Sequence, residues 1–313
     1  MTLEATGSRP EAVVTIGVFD GVHLGHQALI RQVVERAEQL GTQSACVTFS
    51  PHPEDVLRPE SNIAHLAAVE DRLAAIKALG IGEVVVLEFT PSLAQMSPEE
   101  FIDLLLERFR LRELWIGSDF ALGRGRSGTP ERLEAIGRQN GFVVRQFPPV
   151  EIGGQVISSS RIRRLLAEGQ VEDAARLLGR HYRLRGMVVA GDGRGRSLGF
   201  ATANLAPAER MCVPGDGVYA VLCRIEGKEA RPGVANIGLR PTFGSEGRQI
   251  EIHVIDFEGN LYGRQLAIDF VARLRGERRF ESVEALVQQI SRDVERARDI
   301  TGHRYYSPGR AGR

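Results

Sequence analysis

The stretch that decides the reading of this chain is residues 15–26, TIGVFDGVHLGH. An apolar run at 12–16 feeds a glycine turn carrying Gly17, Phe19, Asp20 and Gly21, and a helix is predicted to begin near Val22 or His23. His23 and His26 then stand three residues apart on one side of its first turn. Unpaired backbone N–H groups and the positive end of the helix dipole collect at the same place, which suits an anion. Imidazoles there can donate to a phosphate chain and offset charge that builds during transfer. Two surface histidines at a helix start would be the bland alternative, and the surrounding Gly17, Asp20, Gly21 and Gly25 argue against it.

Beyond this segment, short apolar runs at 12–16, 44–49, 83–89, 113–116 and 142–146 alternate with helical periodicity at 27–40, 69–79, 98–109 and 130–140. Strand, helix, strand, helix at this rhythm predicts an α/β domain with a parallel sheet. Two short helices are predicted within 159–178, split by Glu168-Gly169-Gln170. After His181 the texture changes to strands set off by glycine turns, at 182–189, 217–225, 230–237, 249–255 and 265–274. That predicts a small antiparallel barrel, closed off by a helix at 283–298 with one apolar face. The expected domains are 1–181 and 182–313.

At 313 residues the chain is long enough for two domains, and 42% hydrophobic with 26% charged residues is ordinary globular usage. Forty basic against forty acidic residues give no net field toward nucleic acid or an anionic membrane, so neither is an expected partner. Three scattered cysteines without a C-x-x-C pair argue against a disulfide framework or zinc site and suit a reducing compartment. No apolar run approaches a membrane span. A cytoplasmic enzyme is therefore expected, with its oligomeric state left open.

Further motifs carry chemistry. Residues 157–163, ISSSRIR, place Ser158, Ser159 and Ser160 before a helix whose first turns carry Arg161 and Arg163, a second phosphate-handling segment. Phe49, Pro51 and His52 in FSPHP, and Asp119 in GSDF, each follow a predicted strand on the edge where open α/β sheets bind ligands. GRGRS occurs at 123–127 and again at 193–197, within the longer run GDGRGRSLGFATANL at 191–205. Gly191 and Gly199 would cradle phosphate there, while Thr202 and Asn204, alternating on a short extended stretch, offer oxygens to a Mg²⁺ that bridges nucleotide phosphates. Glu251, on a strand with apolar neighbours, would be raised in pKa by partial burial and so suit a general base. No dinucleotide fingerprint is present, since Gly17, Gly21 and Gly25 do not fall at G-x-G-x-x-G, and the one Gly-Lys pair, Gly227-Lys228, precedes Glu229 rather than a hydroxyl residue.

These pieces together carry a resemblance. His23, Gly25 and His26 are similar to the H-x-G-H signature of nucleotidyltransferases. In order, GVFDGVHLGH, FSPHP, GSDF, ISSSRIR, GRGRSLGFATANL, PGDGVY, ANIGLRPTF, EIHVIDFEGNLYG and LRGERRF resemble the bacterial bifunctional riboflavin kinase/FMN adenylyltransferase family over about residues 14–297. The resemblance implies a Rossmann-like N-terminal adenylyltransferase and a C-terminal kinase barrel, with riboflavin, FMN and ATP as substrates, Mg²⁺ as cofactor, and FMN and FAD as products. By motif, His23, His26, Ser158, Ser159 and Arg163 would handle the triphosphate, and Asp119 would lie beside the substrates. Asn236 and Arg240 would join the flavin side of the barrel, Thr202 and Asn204 would hold metal and nucleotide, and Glu251 would activate the riboflavin hydroxyl. Ala201 stands where the family usually has proline, ISSS replaces ISST, and Ala121-Leu122 replaces an aromatic-basic stretch. The alternatives are an H-x-G-H enzyme with another acceptor, or a chain with one active domain.

Overall fold

The computed structural model describes residues 9–61, 63–118, 120–190, 199–239 and 248–305. It divides into two compact units, Met1–Ser159 and Ser160–Arg313.

In the first unit β1 (Glu11–Ile16), α1 (Leu24–Leu40), β2 (Gln43–Ser50), α2 (Pro53–Leu57), α3 (Val69–Lys77), β3 (Glu83–Glu88), α4 (Pro91–Ala94), α5 (Pro98–Arg108), β4 (Arg110–Gly117), α6 (Pro130–Asn140) and β5 (Val143–Phe147) build a sheet in the order β3-β2-β1-β4-β5. The pairings within it are parallel throughout. β1 sits at its centre and is buried along nearly its whole length, as a strand covered on both faces must be. Val13 looks toward Leu29, Ile30 and Val33 of α1 and Ile76 of α3. Ala12, Val14 and Ile16 look the other way, toward Phe101, Ile102 and Leu105 of α5 and Leu133 and Ile136 of α6. The predicted α/β architecture is thus present as a doubly wound sheet, and its strand order reverses beside β1, where such sheets bind ligands outside the strands' carboxyl ends. A small hairpin, β6 (Glu151–Ile152) with β7 (Gln155–Val156), precedes the unit's end.

The second unit takes α7 (Ser159–Ala167) from its second residue, then α8 (Val171–Leu178). Next come β8 (Tyr182–Val189), β9 (Ala203–Pro207), β10 (Gly217–Ile225), β11 (Arg231–Leu239), β12 (Arg248–Val254) and β13 (Gln265–Arg275), which close into the predicted antiparallel barrel in the order β10-β11-β12-β9-β8-β13. The terminal helix is α9 (Val283–Tyr305). β8 alternates buried and exposed positions, as a barrel strand with one wet face does. β10 does not: it is buried on both faces, because Val218 and Ala220 lie in a cluster with Ala297 of α9. Gly215 bridges the helices and the barrel, since its N–H donates to Leu166 O at 2.8 Å and a Cβ there would come within 2.4 Å of Ala167 O.

Candidate active sites

The glycine turn after β1 is wound tightly. Phe19 (φ 53°), Gly21 (φ 77°) and Val22 (φ 41°) all take left-handed backbone, which is uncommon for phenylalanine or valine and concentrates at functional turns. The turn is pinned where Gly17 N donates to Val47 O at 3.0 Å and Thr48 Oγ1 to Val18 O at 3.1 Å. At Gly17 a Cβ would stand 2.9 Å from the Phe19 ring, so the close approach requires glycine.

α1 begins at Leu24, and His23 is its N-cap. His23 Nδ1 accepts the His26 backbone N–H at 3.3 Å, which places the proton of a neutral His23 on Nε2. The two imidazoles stack, with centroids 3.6 Å apart and planes 18° from parallel, and Phe19 meets His26 edge-on at 5.2 Å. His26 Nδ1 is shielded from solvent and has no hydrogen-bond partner among the described residues. Burial, then the neighbouring His23, hold the His26 pKa well below 6.5, so it is neutral near pH 7. Gly25 lets α1 pass this pair, for a Cβ there would lie 3.2 Å from the His23 ring.

Asp20 is 3% exposed, and its carboxylate oxygens accept Leu66 N at 3.0 and 3.1 Å. Its carbonyl accepts the hydroxyl of Ser159, the last residue of the first unit and the first of α7, at 2.9 Å. Ser158 precedes that helix, and Arg163 lies one turn along it. On the neighbouring strand end, the Phe49 ring is turned into the core against Phe89 and Phe101. The chain then runs through a cis Ser50–Pro51 peptide to His52, whose Nδ1 accepts Glu54 N at 3.2 Å and so caps α2. His52 stacks on His65 at 5.0 Å, and His65 Nε2 lies 3.1 Å from Asp55 Oδ1. His65, Asp55 and the buried Arg72 belong to no sequence motif. Arg72 left one sign: it lies four residues before Ile76, in line with the buried face of α3.

In the barrel, three candidate residues stand in one row across three strands. Asn236 of β11 pairs with Glu251 of β12, and Glu251 pairs with Asn204 of β9. Directly opposed residues project from the same face of a sheet, so their side chains converge. Asn204 is buried, and its Oδ1 has no hydrogen-bond partner among the described residues. Glu251 is half-buried and Asn236 exposed. A cleft of about 490 Å³ is lined by Thr202 and Ala203, by Ile252 and Val254, and by Phe257 and Tyr262; its strand residues alternate with those of the row and so face the other side of the sheet. His253 Nδ1 approaches Ala201 O at 2.9 Å and its ring meets Phe200 edge-on, which fastens the segment carrying Thr202 and Asn204 onto β12. Gly199, with φ 87°, sits at the start of that segment. Asp119, Gly191 and Arg240 lie outside the described residues.

A doubly wound sheet with a histidine capping its first helix and a second stacked on it, joined in one chain to a closed barrel that carries an Asn-Glu-Asn row, defines a two-part nucleotide-handling transferase. The family model for FAD synthetase matches residues 6–161 and that for riboflavin kinase residues 178–301. Proteins named bifunctional riboflavin kinase/FMN adenylyltransferase are 41% identical in Pseudomonas fluorescens, with 93% of this chain and 94% of that protein covered, and 37% identical in Bacillus subtilis, with 92% of each covered. The Escherichia coli K12 protein of that name is 36% identical over 93% of both chains. The chain belongs to the bifunctional riboflavin kinase/FMN adenylyltransferase family. A Streptococcus pneumoniae crystal structure named as a macrolide-efflux protein also shares the fold, with a TM-score of 0.85, 32% identity and coverage of 94% and 95% of the two chains. Among the described residues of this chain no helix is long and apolar enough to cross a membrane.

Proposed function

We propose that this chain makes flavin nucleotides in two steps, phosphorylating riboflavin to FMN in the barrel and adenylylating FMN to FAD in the N-terminal unit. The observation that carries the reading is that both family models match one chain in separate stretches, and that a relative named for both activities aligns with it nearly end to end. The working division is 1–181 for adenylyl transfer and 182–313 for the kinase.

In the barrel, Glu251 accepts the proton of the ribityl 5′-hydroxyl as its oxygen bonds to the γ-phosphorus of ATP and the bond to ADP breaks. Asn236 and Arg240 lie on the flavin side, and Gly191 and Gly199 on the phosphate side. The residues present fit Mg²⁺: Asn204 Oδ1 is a buried oxygen without a partner among the described residues, and Thr202 brings a second oxygen two residues away. Among the described residues no cluster of three or more His, Cys, Asp or Glu could hold a metal, so the ion would arrive with the nucleotide phosphates. When bound it would neutralise charge on those phosphates.

In the N-terminal unit an oxygen of the FMN phosphate bonds to the α-phosphorus of a second ATP, and pyrophosphate leaves. The nucleophile is already an anion and needs no base. His23, His26, Ser158, Ser159 and Arg163 bind and stabilise the polyphosphate, aided by the bare backbone of Gly17, Gly25 and the turn at Phe19 and Asp20. FMN takes the edge formed by Pro51, His52 and Asp119, while the Phe49 ring, expected there from its motif, packs in the core instead. ATP as substrate and three buried cysteines, none of them in a disulfide, suit a cytoplasmic protein.

Chromatography of riboflavin, FMN and FAD during incubation of the purified chain with riboflavin, ATP and Mg²⁺ tests the reading. FMN is expected to rise and then give way to FAD. Accumulation of FMN alone, or no product, would refute one half or both.

A further inference from the structure

Arg72 is 3% exposed on the first turn of α3, and neither of the two reactions uses it. Its Nη2 donates to Phe49 O at 2.6 Å, the carbonyl just before Ser50-Pro51-His52. It also faces the buried Asp20 carboxylate, whose attraction opposes the lowering of the guanidinium pKa by burial. Its Nε has no hydrogen-bond partner among the described residues. A buried cation with an unmet donor is costly, and replacing such a group by apolar side chains is often neutral or stabilising. Stability is therefore a poor reason for an arginine here.

What the cation touches gives a better one. The stacked His52 and His65 arrive at the ligand edge on two separate arms of chain. The first arm leaves β2 through Phe49, whose carbonyl Arg72 holds. The second passes through Leu66, whose N–H is held by Asp20, the carboxylate whose charge acts on Arg72. Arg72 holds the first arm directly, and Asp20, whose charge acts on Arg72, holds the second. We infer that Arg72 is a positioning residue for adenylyl transfer, setting the spacing of the His52–His65 pair that receives the acceptor. The assignment rests on the reading that FMN binds at this edge.

The test compares the purified full chain with Arg72→Met, Arg72→Gln and Arg72→Lys, measuring KM and kcat for FMN in FAD formation, the riboflavin phosphorylation rate and a melting curve on each sample. In the two neutral variants KM for FMN is expected to rise tenfold or more, while phosphorylation stays within twofold of the parent chain. Arg72→Lys, which keeps the charge and a donor, should stay within threefold of the parent KM. A purely structural residue would lower the apparent kcat in step with the folded fraction and leave KM unchanged. That outcome overturns the assignment, as does failure of both neutral variants to fold. A Lys variant as impaired as the Gln variant would overturn the argument from charge. If the unsubstituted chain leaves FMN unconverted, the functional reading itself fails, and this assignment with it.

Discussion

Gly17→Ala puts one methyl group where the structure has no room for it. Gly17 needs no left-handed backbone, so its lack of a side chain is what matters. The new Cβ would meet Phe19 Cζ at 2.9 Å, with two more ring carbons at 3.1 and 3.2 Å. Phe19 is 3% exposed and packed in the core that includes Val13, Val22 and Ile30, so the ring cannot swing away from its cluster. The neighbour on its other side is His26, 5.2 Å away edge-on and stacked in turn on His23. Relieving the overlap needs a shift of roughly half an ångström, and overpacking of this kind costs about 1–3 kcal/mol. Loss of chain entropy in the unfolded state on replacing glycine returns about 0.4–1 kcal/mol. A net loss of about 1–2 kcal/mol lowers the melting temperature of a unit this size by about 2–8 °C. Displacing a catalytic imidazole by up to an ångström costs about 10- to 100-fold in rate. The assay is FAD formation from supplied FMN, with riboflavin phosphorylation in the same sample as the internal control. We expect the first to fall at least tenfold and the second to hold within twofold. FAD formation within twofold of the parent chain would refute the reasoning, because Phe19 would then not be transmitting the clash to His26. Gly41→Ala is the companion control: its φ of 63° strains an alanine, but nothing lies within 4 Å of the added Cβ, so it should cost about 1–2 kcal/mol and spare both activities.

The same geometry leads to three further outcomes. The His26 pKa is held below 6.5 in the folded chain, so the unfolded chain binds the extra proton first; stability should fall as pH drops through 6.5, by at most about 1.4 kcal/mol per pH unit, and level off below the folded pKa, a slope that urea titrations should find reduced in His26→Gln. Glu251→Ala should lower FMN formation by about 10²- to 10⁴-fold while FAD still forms from supplied FMN, and His26→Ala should do the reverse; loss of both activities by either folded variant would break the two-site division. Asn204→Val removes a buried oxygen that has no partner among the described residues, a group whose desolvation costs about 1–3 kcal/mol, so the urea midpoint should hold or rise while riboflavin phosphorylation falls at least 100-fold; an undiminished rate would remove Asn204 from the site.

The elements themselves are legible where a period repeats. The helix at 130–140 and the strands at 182–189 and 217–225 fall where their patterns put them. α1 shows where patterning stops: the pattern predicts a start near Val22 or His23, but the helix begins at Leu24, because His23 turns its own imidazole back to cap the first turn. The short β6–β7 hairpin and α4 escape the pattern, since two to four residues are too few to show a period. In the sites, residues inside glycine-rich motifs are visible and their distant supports are not. Asp20 reads as a phosphate residue from its neighbours, whereas its carboxylate holds Leu66, 46 positions away. His65 is silent for the same reason: its partners, Asp55 and the ring of His52, are set by the fold and by no local spacing.

The division of chemistry between the two units comes from what each nucleophile is. A ribityl hydroxyl is a weak nucleophile at neutral pH and needs somewhere to send its proton; the proposed acceptor, Glu251, stands at the centre of a row whose other members, Asn204 and Asn236, carry no charge to compete with it. A phosphate monoester is ionised before it arrives, so it needs no carboxylate to take a proton from it. The N-terminal unit has a carboxylate in its glycine turn, Asp20, and the fold withdraws it from use: it is buried and both oxygens accept a backbone N–H. The turn presents instead a pair of imidazoles at the positive end of α1. Burial, then the neighbouring His23, hold His26 neutral in the free chain, so it meets a polyphosphate as a hydrogen-bonding group rather than as a cation.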